Sequence, residues 1–242
     1  AQKLDYKAII VIPEDAPPER IRALIDGGAE VVPSPWRTYG RGNVYTIARY
    51  IAKEAREFGG RIGQNPLRAV PMVKTNKEAR RPYFEVAENS TRKIQEITGK
   101  IPDIWLAVVG SGATASGIGE YVHATNPSGL VFAVTDTENP AMEYLSRGQV
   151  YDKIFTPNIL GSISPGLAAD HLNINWNVID YRIDVTLVES LANQQILQDD
   201  WLMVGLTSGA EFAAARKLAE ATHDQIMVIN FNDAALLTRK GV

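Results

Sequence analysis

The stretch Asp103-Ile-Trp-Leu-Ala-Val-Val-Gly-Ser-Gly-Ala-Thr-Ala-Ser-Gly-Ile-Gly-Glu-Tyr-Val122 decides the fold of this chain. Its first part, Ile104 to Val109, is a continuous apolar run, which is typical of a buried strand in a parallel sheet. Gly110-Ser111-Gly112 then permits a sharp turn, and apolar residues at helical spacing follow it. The stretch therefore predicts a strand, a glycine-rich turn and a helix, in that order.

The start of the helix after this turn is a candidate phosphate site. Backbone N–H groups without intrahelical partners converge there with the positive end of the helix dipole. We expect this backbone to hold a phosphate, and the hydroxyls of Ser111, Thr114 and Ser116 to supply further donors. A turn that binds nothing is the alternative, because short Gly/Ser turns between a strand and a helix are common. The order of the three elements favours phosphate binding.

Composition limits the classes of partner. The chain has 242 residues, of which 45% are hydrophobic and 22% charged, as in a globular protein. A formal net charge of -3 argues against nucleic acid or an anionic membrane as the main partner. Cysteine is absent, which excludes disulfides, thiolate metal sites and cysteine nucleophiles and fits a reducing compartment. No apolar run reaches the roughly 20 residues of a membrane span. We therefore expect a cytoplasmic protein.

Predicted strands and helices alternate along the chain. Helical patterns include Glu88–Ile97, Glu189–Gln198 and Ala210–Ala221, and residues 59–88, with a basic cluster and little periodicity, are expected to form a surface loop. We expect the four tryptophans to pack. The alternation predicts an α/β fold with open, mostly parallel sheets. The predicted strands are Ala8–Ile12, Ala29–Val32, Ile104–Val109, Leu130–Thr135, Val178–Val188, Trp201–Val204 and Ile226–Ile229.

A dinucleotide site is one interpretation of the glycine turn. Gly110 to Ala115 matches the pattern G-x-G-x-x-G/A, and Asp136 ends the next strand, where a ribose partner would lie. This pattern usually occupies the first βα unit, which it does not here, and it leaves a second turn at Gly205–Gly209 unexplained. An NAD-dependent dehydrogenase therefore stays an alternative. The three histidines show no ligand spacing, so no metal site is predicted.

Four stretches together resemble the pyridoxal-phosphate enzymes of fold type II, the tryptophan synthase β superfamily, and most of all its cysteine synthase and cystathionine β-synthase branch. They occur in the family's order over nearly the whole chain. The resemblance implies a fold of two subdomains and three layers. The stretches are Tyr6-Lys-Ala-Ile-Ile-Val-Ile-Pro-Glu14 with Gly28-Ala-Glu-Val-Val32, Val109-Gly-Ser-Gly-Ala-Thr-Ala-Ser-Gly-Ile118, Leu160-Gly-Ser-Ile-Ser-Pro165 and Gly205-Leu-Thr-Ser-Gly-Ala210.

The resemblance also implies how the cofactor, pyridoxal 5'-phosphate, is held. Ser208 would face its pyridine nitrogen, and a neutral hydroxyl there leaves that nitrogen largely unprotonated and the ring a weaker electron sink. That environment favours β-elimination and β-replacement. From pattern alone, Ser208 is equally a helix N-cap, for which serine is favoured. The residues that would hold the phosphate are Gly110, Ser111, Gly112, Ala113 and Thr114.

The implied activity is β-replacement or β-elimination on a serine- or cysteine-type amino acid, in a homodimer. No lysine matches the family's Schiff-base lysine, which is expected on a segment upstream of this chain. The chain opens at Ala1 directly before a strand, as an internal start would. We therefore expect residues 1–88 to be part of an N-terminal subdomain and residues 89–242 to form the cofactor-binding subdomain. Because Asn230 to Ala235 departs from the family's pattern, a non-catalytic binding or regulatory module is the alternative.

Overall fold

The computed structural model describes residues 8–13, 16, 18–34, 77–110, 112–137 and 174–231. Ser111 and the loop at Leu160–Pro165 lie outside these ranges. In the described ranges, no helix combines the length and the apolarity needed to cross a bilayer. The elements are β1 (Ile9–Pro13), α1 (Pro18–Asp26), β2 (Glu30–Ser34), α2 (Lys77–Thr98), β3 (Ile104–Val108), α3 (Ala113–Thr125), β4 (Leu130–Asp136), a 3-10 turn (Trp176–Val178), β5 (Tyr181–Val185), α4 (Leu187–Asp199), α5 (Leu206–Ala219) and β6 (Met227–Val228).

The strands form two parallel sheets. β1 pairs with β2, and four further strands lie in the order β5-β4-β3-β6. Ile104 of β3 is opposite Leu130 of β4 on one side and Met227 of β6 on the other, so β3 is a central strand. Each described pairing is parallel, and α1 lies between β1 and β2 in the chain as α3 lies between β3 and β4. The predicted α/β class with parallel sheets is confirmed.

The core lies on both faces of the larger sheet. Trp105 of β3 is buried on one face against Ile118 and Val122 of α3. Leu106, the next residue, is buried on the other face against the alanines of α5. Because successive side chains of a strand point to opposite faces, a strand covered by helices on both sides must be apolar throughout. The larger sheet is therefore the middle of three layers.

The prediction of a surface loop over residues 59–88 is wrong for its last twelve residues. Helix α2 begins at Lys77 and contains Pro82, whose missing N–H normally argues against a helix interior. The helix persists because its inner side packs closely on α3: Ala87 is completely buried, and Phe84 stacks edge-on against Tyr121 at 5.3 Å. The predicted division between residues 88 and 89 falls inside this helix, and the division into two subdomains stays a prediction.

Part of the predicted basic cluster is also placed differently from a solvated loop. Arg80 lies under α3, where its guanidinium donates to the Glu120 carboxylate at 2.6 Å, and both side chains are largely buried. Arg81, one residue on, is exposed and pairs within its own helix with Glu85. Because α2 is a helix, these neighbouring residues point in different directions, so Arg80 faces α3 and Arg81 faces solvent.

Two strand predictions near the end of the chain differ from the structure. The predicted strand Val178–Val188 is a strand only from Tyr181 to Val185, because Thr186 caps α4. The Thr186 hydroxyl accepts from the Glu189 N–H, and the Glu189 carboxylate accepts from the Thr186 N–H, which makes a capping box.

The predicted strand Trp201–Val204 is instead a connection between α4 and α5, with a turn at Trp201 and an isolated β-bridge at Val204. Trp201 has a left-handed backbone with φ of 64°, and its side chain is 92% exposed. The expectation that every tryptophan packs is wrong for this residue, while Trp105 is buried as predicted. A left-handed residue reverses the chain and ends any strand, so local backbone geometry overrides the apolar pattern here.

Candidate functional site

The predicted strand-turn-helix stretch has the arrangement that an anion site requires. β3 ends at Val108, and the Val109 N–H still donates to the Val134 carbonyl of β4 at 3.0 Å. Gly112 is the N-cap of α3 and, having no side chain, makes no capping hydrogen bond to this helix terminus. The first N–H groups of α3, at Ala113 and Thr114, therefore point out of the carboxyl edge of the sheet.

Gly112 is required here for two reasons. Its φ of 86° lies in the left-handed region that glycine adopts without strain. A Cβ atom at this position would also lie 2.5 Å from Cβ of Ile174, which is closer than two non-bonded carbon atoms approach each other. Any larger residue would therefore strain the turn and displace Ile174.

Ser116 bonds to another segment of the chain, and its predicted role as a phosphate donor stays a prediction. Its side chain is completely buried, and its oxygen accepts from the Asn175 N–H at 2.7 Å. Asn175 also donates through its side chain to Glu120 at 3.1 Å. Ser116 therefore fastens the segment before β5 to α3. Thr114, two residues earlier, is half-buried at the helix start.

The second glycine turn places Ser208 inside a helix. α5 begins at Leu206 with Gly205 as its N-cap, so Ser208 is the third helical residue. The N-cap interpretation of Ser208 is wrong, because the cap lies three residues earlier. The side chain of Ser208 is completely buried. A hydroxyl held at this depth faces protein or ligand atoms and not bulk water.

Glu211 connects the two turns and is not among the residues that the sequence predicts for the site. This carboxylate lies one helical turn after Ser208 and accepts from the Val108 N–H at 2.8 Å, at the end of β3. It also accepts from the Asn230 N–H, and the Asn230 side chain donates to the Leu106 carbonyl at 3.0 Å. Glu211 therefore fixes α5 to the strand that leads into the phosphate turn.

The protonation of Glu211 is set by its burial. Only 4% of the residue is exposed. Removal from water raises the pKa of its carboxyl group to about 7, although hydrogen bonds from the Val108 and Asn230 N–H groups oppose the rise. The sequence contains a signal for this residue, because Glu211 is a charged side chain in an alanine-rich stretch, three positions after Ser208.

The remaining residues considered in the sequence are Asp136 and the histidines. Asp136 ends β4 and is 7% exposed, so it is a buried residue of the sheet. His123 bonds through Nε2 to the Asp180 carboxylate at 3.0 Å, near the other end of α3. Within the described ranges, no group of three metal-ligating side chains occurs.

Comparison with known proteins identifies a family. The sequence pattern of the family described as "Pyridoxal-phosphate dependent enzyme" matches residues 1–233. Cysteine synthase A of Escherichia coli is 25% identical over 231 residues, which are 93% of this chain and 66% of that protein. A probable cysteine synthase of Bacillus subtilis is 30% identical over 228 residues, with coverages of 92% and 66%. The chain thus spans just under two thirds of the length of these relatives.

Solved structures have the same fold. The hydrogen sulfide-producing enzyme of Fusobacterium nucleatum is 20% identical, with a TM-score of 0.76 over 100% of this chain and 69% of that one. The O-acetylserine-dependent cystathionine beta-synthase of Helicobacter pylori is 22% identical, with a TM-score of 0.73 over 100% of this chain and 72% of that one. At these identities the likeness shows the fold alone.

Proposed function

The chain belongs to the family of pyridoxal-phosphate dependent enzymes, and from this we propose that it performs β-replacement or β-elimination on a serine- or cysteine-type amino acid. The cofactor is pyridoxal 5'-phosphate, as in the family. The observation that carries the proposal is the uncapped start of α3 at Gly112, joined through Glu211 to the helix that bears Ser208. The pyridoxal-phosphate family gives the dehydrogenase alternative no support.

The residues present fit this cofactor. The open helix terminus supplies backbone N–H groups and a positive dipole end for a phosphate. Gly112 keeps the backbone free of a side chain at that point, since a Cβ there would collide with Ile174. Gly110, Ser111, Gly112, Ala113 and Thr114 are proposed to hold the phosphate, as the family resemblance implies.

Each residue has a separate task in the proposed reaction. When bound, the cofactor supplies an electron sink for the bonds at the amino acid's α-carbon. Ser208 is proposed to donate a hydrogen bond to the pyridine nitrogen and leave it unprotonated, which limits the sink and favours loss of a β-substituent. Glu211 holds β3 and α5 together, so it acts on the phosphate turn through position and not by contact.

The lysine that exchanges protons with the substrate is proposed to lie outside these 242 residues. Mass spectrometry tests this location. The protein is taken from its natural source, treated with pyridoxal phosphate and reduced with borohydride, and its intact mass is then measured. We expect a mass well above that of 242 residues and one reduced cofactor adduct. An adduct on a lysine of the present sequence would contradict the proposed location.

Turnover separates the enzyme from the non-catalytic alternative. We expect O-acetyl-L-serine, L-serine or L-cysteine to release its β-substituent, with sulfide or another nucleophile as the acceptor in replacement. The names of relatives such as the Helicobacter pylori enzyme suggest O-acetylserine as the first substrate to test. A protein that binds and anchors the cofactor but turns over none of these amino acids would support the regulatory module.

A glycine pair tests the phosphate turn. Gly112→Ala should weaken pyridoxal phosphate binding at least tenfold, because the new methyl group strains the turn and displaces Ile174. Gly99→Ala is the matched control: Gly99 has a φ of 74° at the end of α2, but a Cβ there meets no atom within 4 Å. Both variants carry backbone strain, and only the first should lose the cofactor in equilibrium titrations. Equal affinity in both would contradict the assignment of the turn.

The accompanying proposals are a homodimer and a cytoplasmic location. The family resemblance supports the first, and the lack of cysteine, which fits a reducing compartment, supports the second. Sedimentation of the purified protein and fractionation of the source cells test them directly. A monomer at micromolar concentration, or a secreted protein, would contradict them.

A further inference from the structure

Residues 174–178, which precede β5, lie along α3 from the phosphate turn onward. Ile174 packs on the backbone of Gly112, where an added Cβ would lie 2.5 Å from Cβ and 2.9 Å from Cα of Ile174. Seven residues later, a Cβ at Gly119 would collide with the Val178 carbonyl oxygen. This spacing places both contacts on one face of α3, so the segment follows that face and begins at the turn.

Asn175 fixes this segment to α3 with both its main chain and its side chain. Its N–H donates to the buried Ser116 hydroxyl oxygen at 2.7 Å, and its Nδ2 donates to the Glu120 carboxylate at 3.1 Å. Its Oδ1 accepts from the Asn177 N–H at 3.3 Å, which caps the 3-10 turn. The Glu120 carboxylate is itself held in place, because Arg80 of α2 donates to it at 2.6 Å. The residue before Asn175, which packs on the phosphate turn, is therefore held by a network that joins two helices.

The phosphate turn needs outside support because its N-cap residue is glycine. Glycine adopts both signs of φ readily, so its own chemistry does not keep Gly112 at a φ of 86°. Ile174 covers the turn from one side and restricts that freedom. A site whose groups are in place before the ligand arrives loses less conformational entropy on binding. The position of Ile174 therefore affects how well the N–H groups of Ala113 and Thr114 hold a phosphate.

We propose that Asn175 is a positioning residue of the cofactor site, because it places Ile174 against Gly112 and so keeps the start of α3 ready for the phosphate. The inference rests on the phosphate role proposed above for this turn. Asn175 acts through Ile174 and not by contact with the cofactor. Its effect falls on the phosphate and not on the pyridine ring, because Ser208, the residue proposed to contact the ring, lies on another helix.

Pyridoxine 5'-phosphate and pyridoxine are a matched pair of probes, because they differ only by the phosphate and neither has an aldehyde that could react with lysine. Both are titrated by calorimetry into protein freed of its cofactor. The Kd of pyridoxine divided by the Kd of pyridoxine 5'-phosphate measures what the phosphate contributes to binding. A variant that is only less stable leaves this affinity ratio unchanged.

The side-chain bond between Asn175 and Glu120 can be broken and rebuilt. Asn175→Asp removes the donor and places a second carboxylate against that of Glu120. We expect it to lower the affinity ratio about two- to tenfold, as for the loss of one hydrogen bond. Adding Glu120→Gln to Asn175→Asp returns a donor from the opposite partner and still leaves an oxygen to accept from Arg80. The double variant should therefore recover most of the ratio.

Two further variants keep the test decisive. Asn177→Asp makes the same chemical change at an exposed residue of the same turn and should keep the unsubstituted ratio. Asn175→Ala removes the bond without adding a charge, so it should lower the ratio even if Asn175→Asp does not fold. Unchanged ratios in the Asn175 variants, or no recovery in the double variant, would overturn the inference and leave the proposed function standing. An unsubstituted protein that binds both probes equally would instead contradict the phosphate role of the turn, and the inference with it.

Discussion

Glu211 shows how much the chemistry of one side chain depends on its surroundings. Its carboxylate accepts from two backbone N–H groups that belong to distant parts of the chain, at Val108 and Asn230. These bonds favour the charged form, yet desolvation has the larger effect and raises the pKa to about 7. The residue is therefore half-protonated near neutral pH, next to the strand that leads into the phosphate turn.

The raised pKa predicts how stability changes with pH. Between pH 4.5 and 7 the folded protein keeps the Glu211 proton and the unfolded chain releases it, so rising pH favours unfolding. From the shift of the pKa from 4.5 to about 7, we expect Glu211 to lower the free energy of unfolding by roughly 3 kcal/mol over this range. Urea unfolding at pH 5, 6, 7 and 8 should show this fall in the unsubstituted protein and a smaller one in Glu211→Gln.

Glu189→Gln is the control, because the pKa of Glu189 is shifted downward whereas that of Glu211 is shifted upward. The hydrogen bond from Lys217, at 2.7 Å, is the main cause that lowers the Glu189 pKa. The stability that Glu189 contributes is thus lost only as pH falls through its lowered pKa. The variant should keep the unsubstituted slope between pH 5 and 8. An unchanged slope in Glu211→Gln would contradict the assignment of the titration to Glu211.

At the scale of elements, α4 and α5 pack so closely that only glycine fits at one position. A Cβ atom at Gly209 would collide with the Ser190 carbonyl oxygen and lie 2.8 Å from the Gln194 Cβ. Gly209 follows Ser208 directly, so the close approach of the two helices also determines where the Ser208 hydroxyl lies.

Gly209→Ala tests this contact. In an ordinary helix interior the change stabilises by about 1 kcal/mol, but here we expect destabilisation of roughly 1 to 3 kcal/mol because the methyl group overpacks the interface. Pyridoxal phosphate affinity should fall with it, because α5 and Ser208 shift. Thermal unfolding and cofactor titration measure both effects. A raised melting temperature in Gly209→Ala would contradict this prediction, because it would mean that α4 and α5 move apart without loss of stability.

In the turn between α4 and α5 we expect the opposite result, a substitution that stabilises the fold. Trp201 has a left-handed backbone and a side chain that is almost fully in solvent, so its replacement by glycine removes strain and little packing. We expect Trp201→Gly to raise the free energy of unfolding by up to about 1 kcal/mol. Leu202→Gly, at the exposed neighbour without a positive φ, should instead lower it by about 0.5 to 1 kcal/mol. Equal effects of the two changes in urea unfolding would exclude strain at Trp201.

At the scale of the whole molecule, cofactor binding should stabilise the fold through the phosphate. A ligand at 100 times its dissociation constant adds about 2.7 kcal/mol to the free energy of unfolding. For a chain of this length that corresponds to a rise of roughly 5 to 10 °C in melting temperature.

Pyridoxal, which has the same aldehyde and ring without the phosphate, is the matched comparison. We expect it to raise the melting temperature far less at the same concentration, because the start of α3 holds the phosphate and not the ring. Equal rises with the two compounds would point to aldehyde chemistry at surface lysines and would contradict a phosphate site at Gly112.

The elements that the sequence predicted well are those whose signals are local. The apolar run of β3, the glycine turn after it and the start of α3 are adjacent in the chain, and the structure confirms all three. The start of α2 was missed because Pro82 and its basic neighbours are typical of a loop, while the helix depends on packing against α3, more than thirty residues later. The strand prediction at Trp201–Val204 was wrong because an apolar pattern does not reveal that one residue has a left-handed backbone.

The sequence by itself determined the α/β class, the strand, turn and helix between residues 104 and 125, and the family, since these follow from periodicity, glycine positions and short motifs. Only the tertiary structure decided which side chains are buried together. Ser208 is the third residue of a helix, and Glu211 is partly protonated near neutral pH. The physical reason is that desolvation and hydrogen-bond pairing depend on atoms brought from distant parts of the chain, whereas turns and periodicity depend on neighbours.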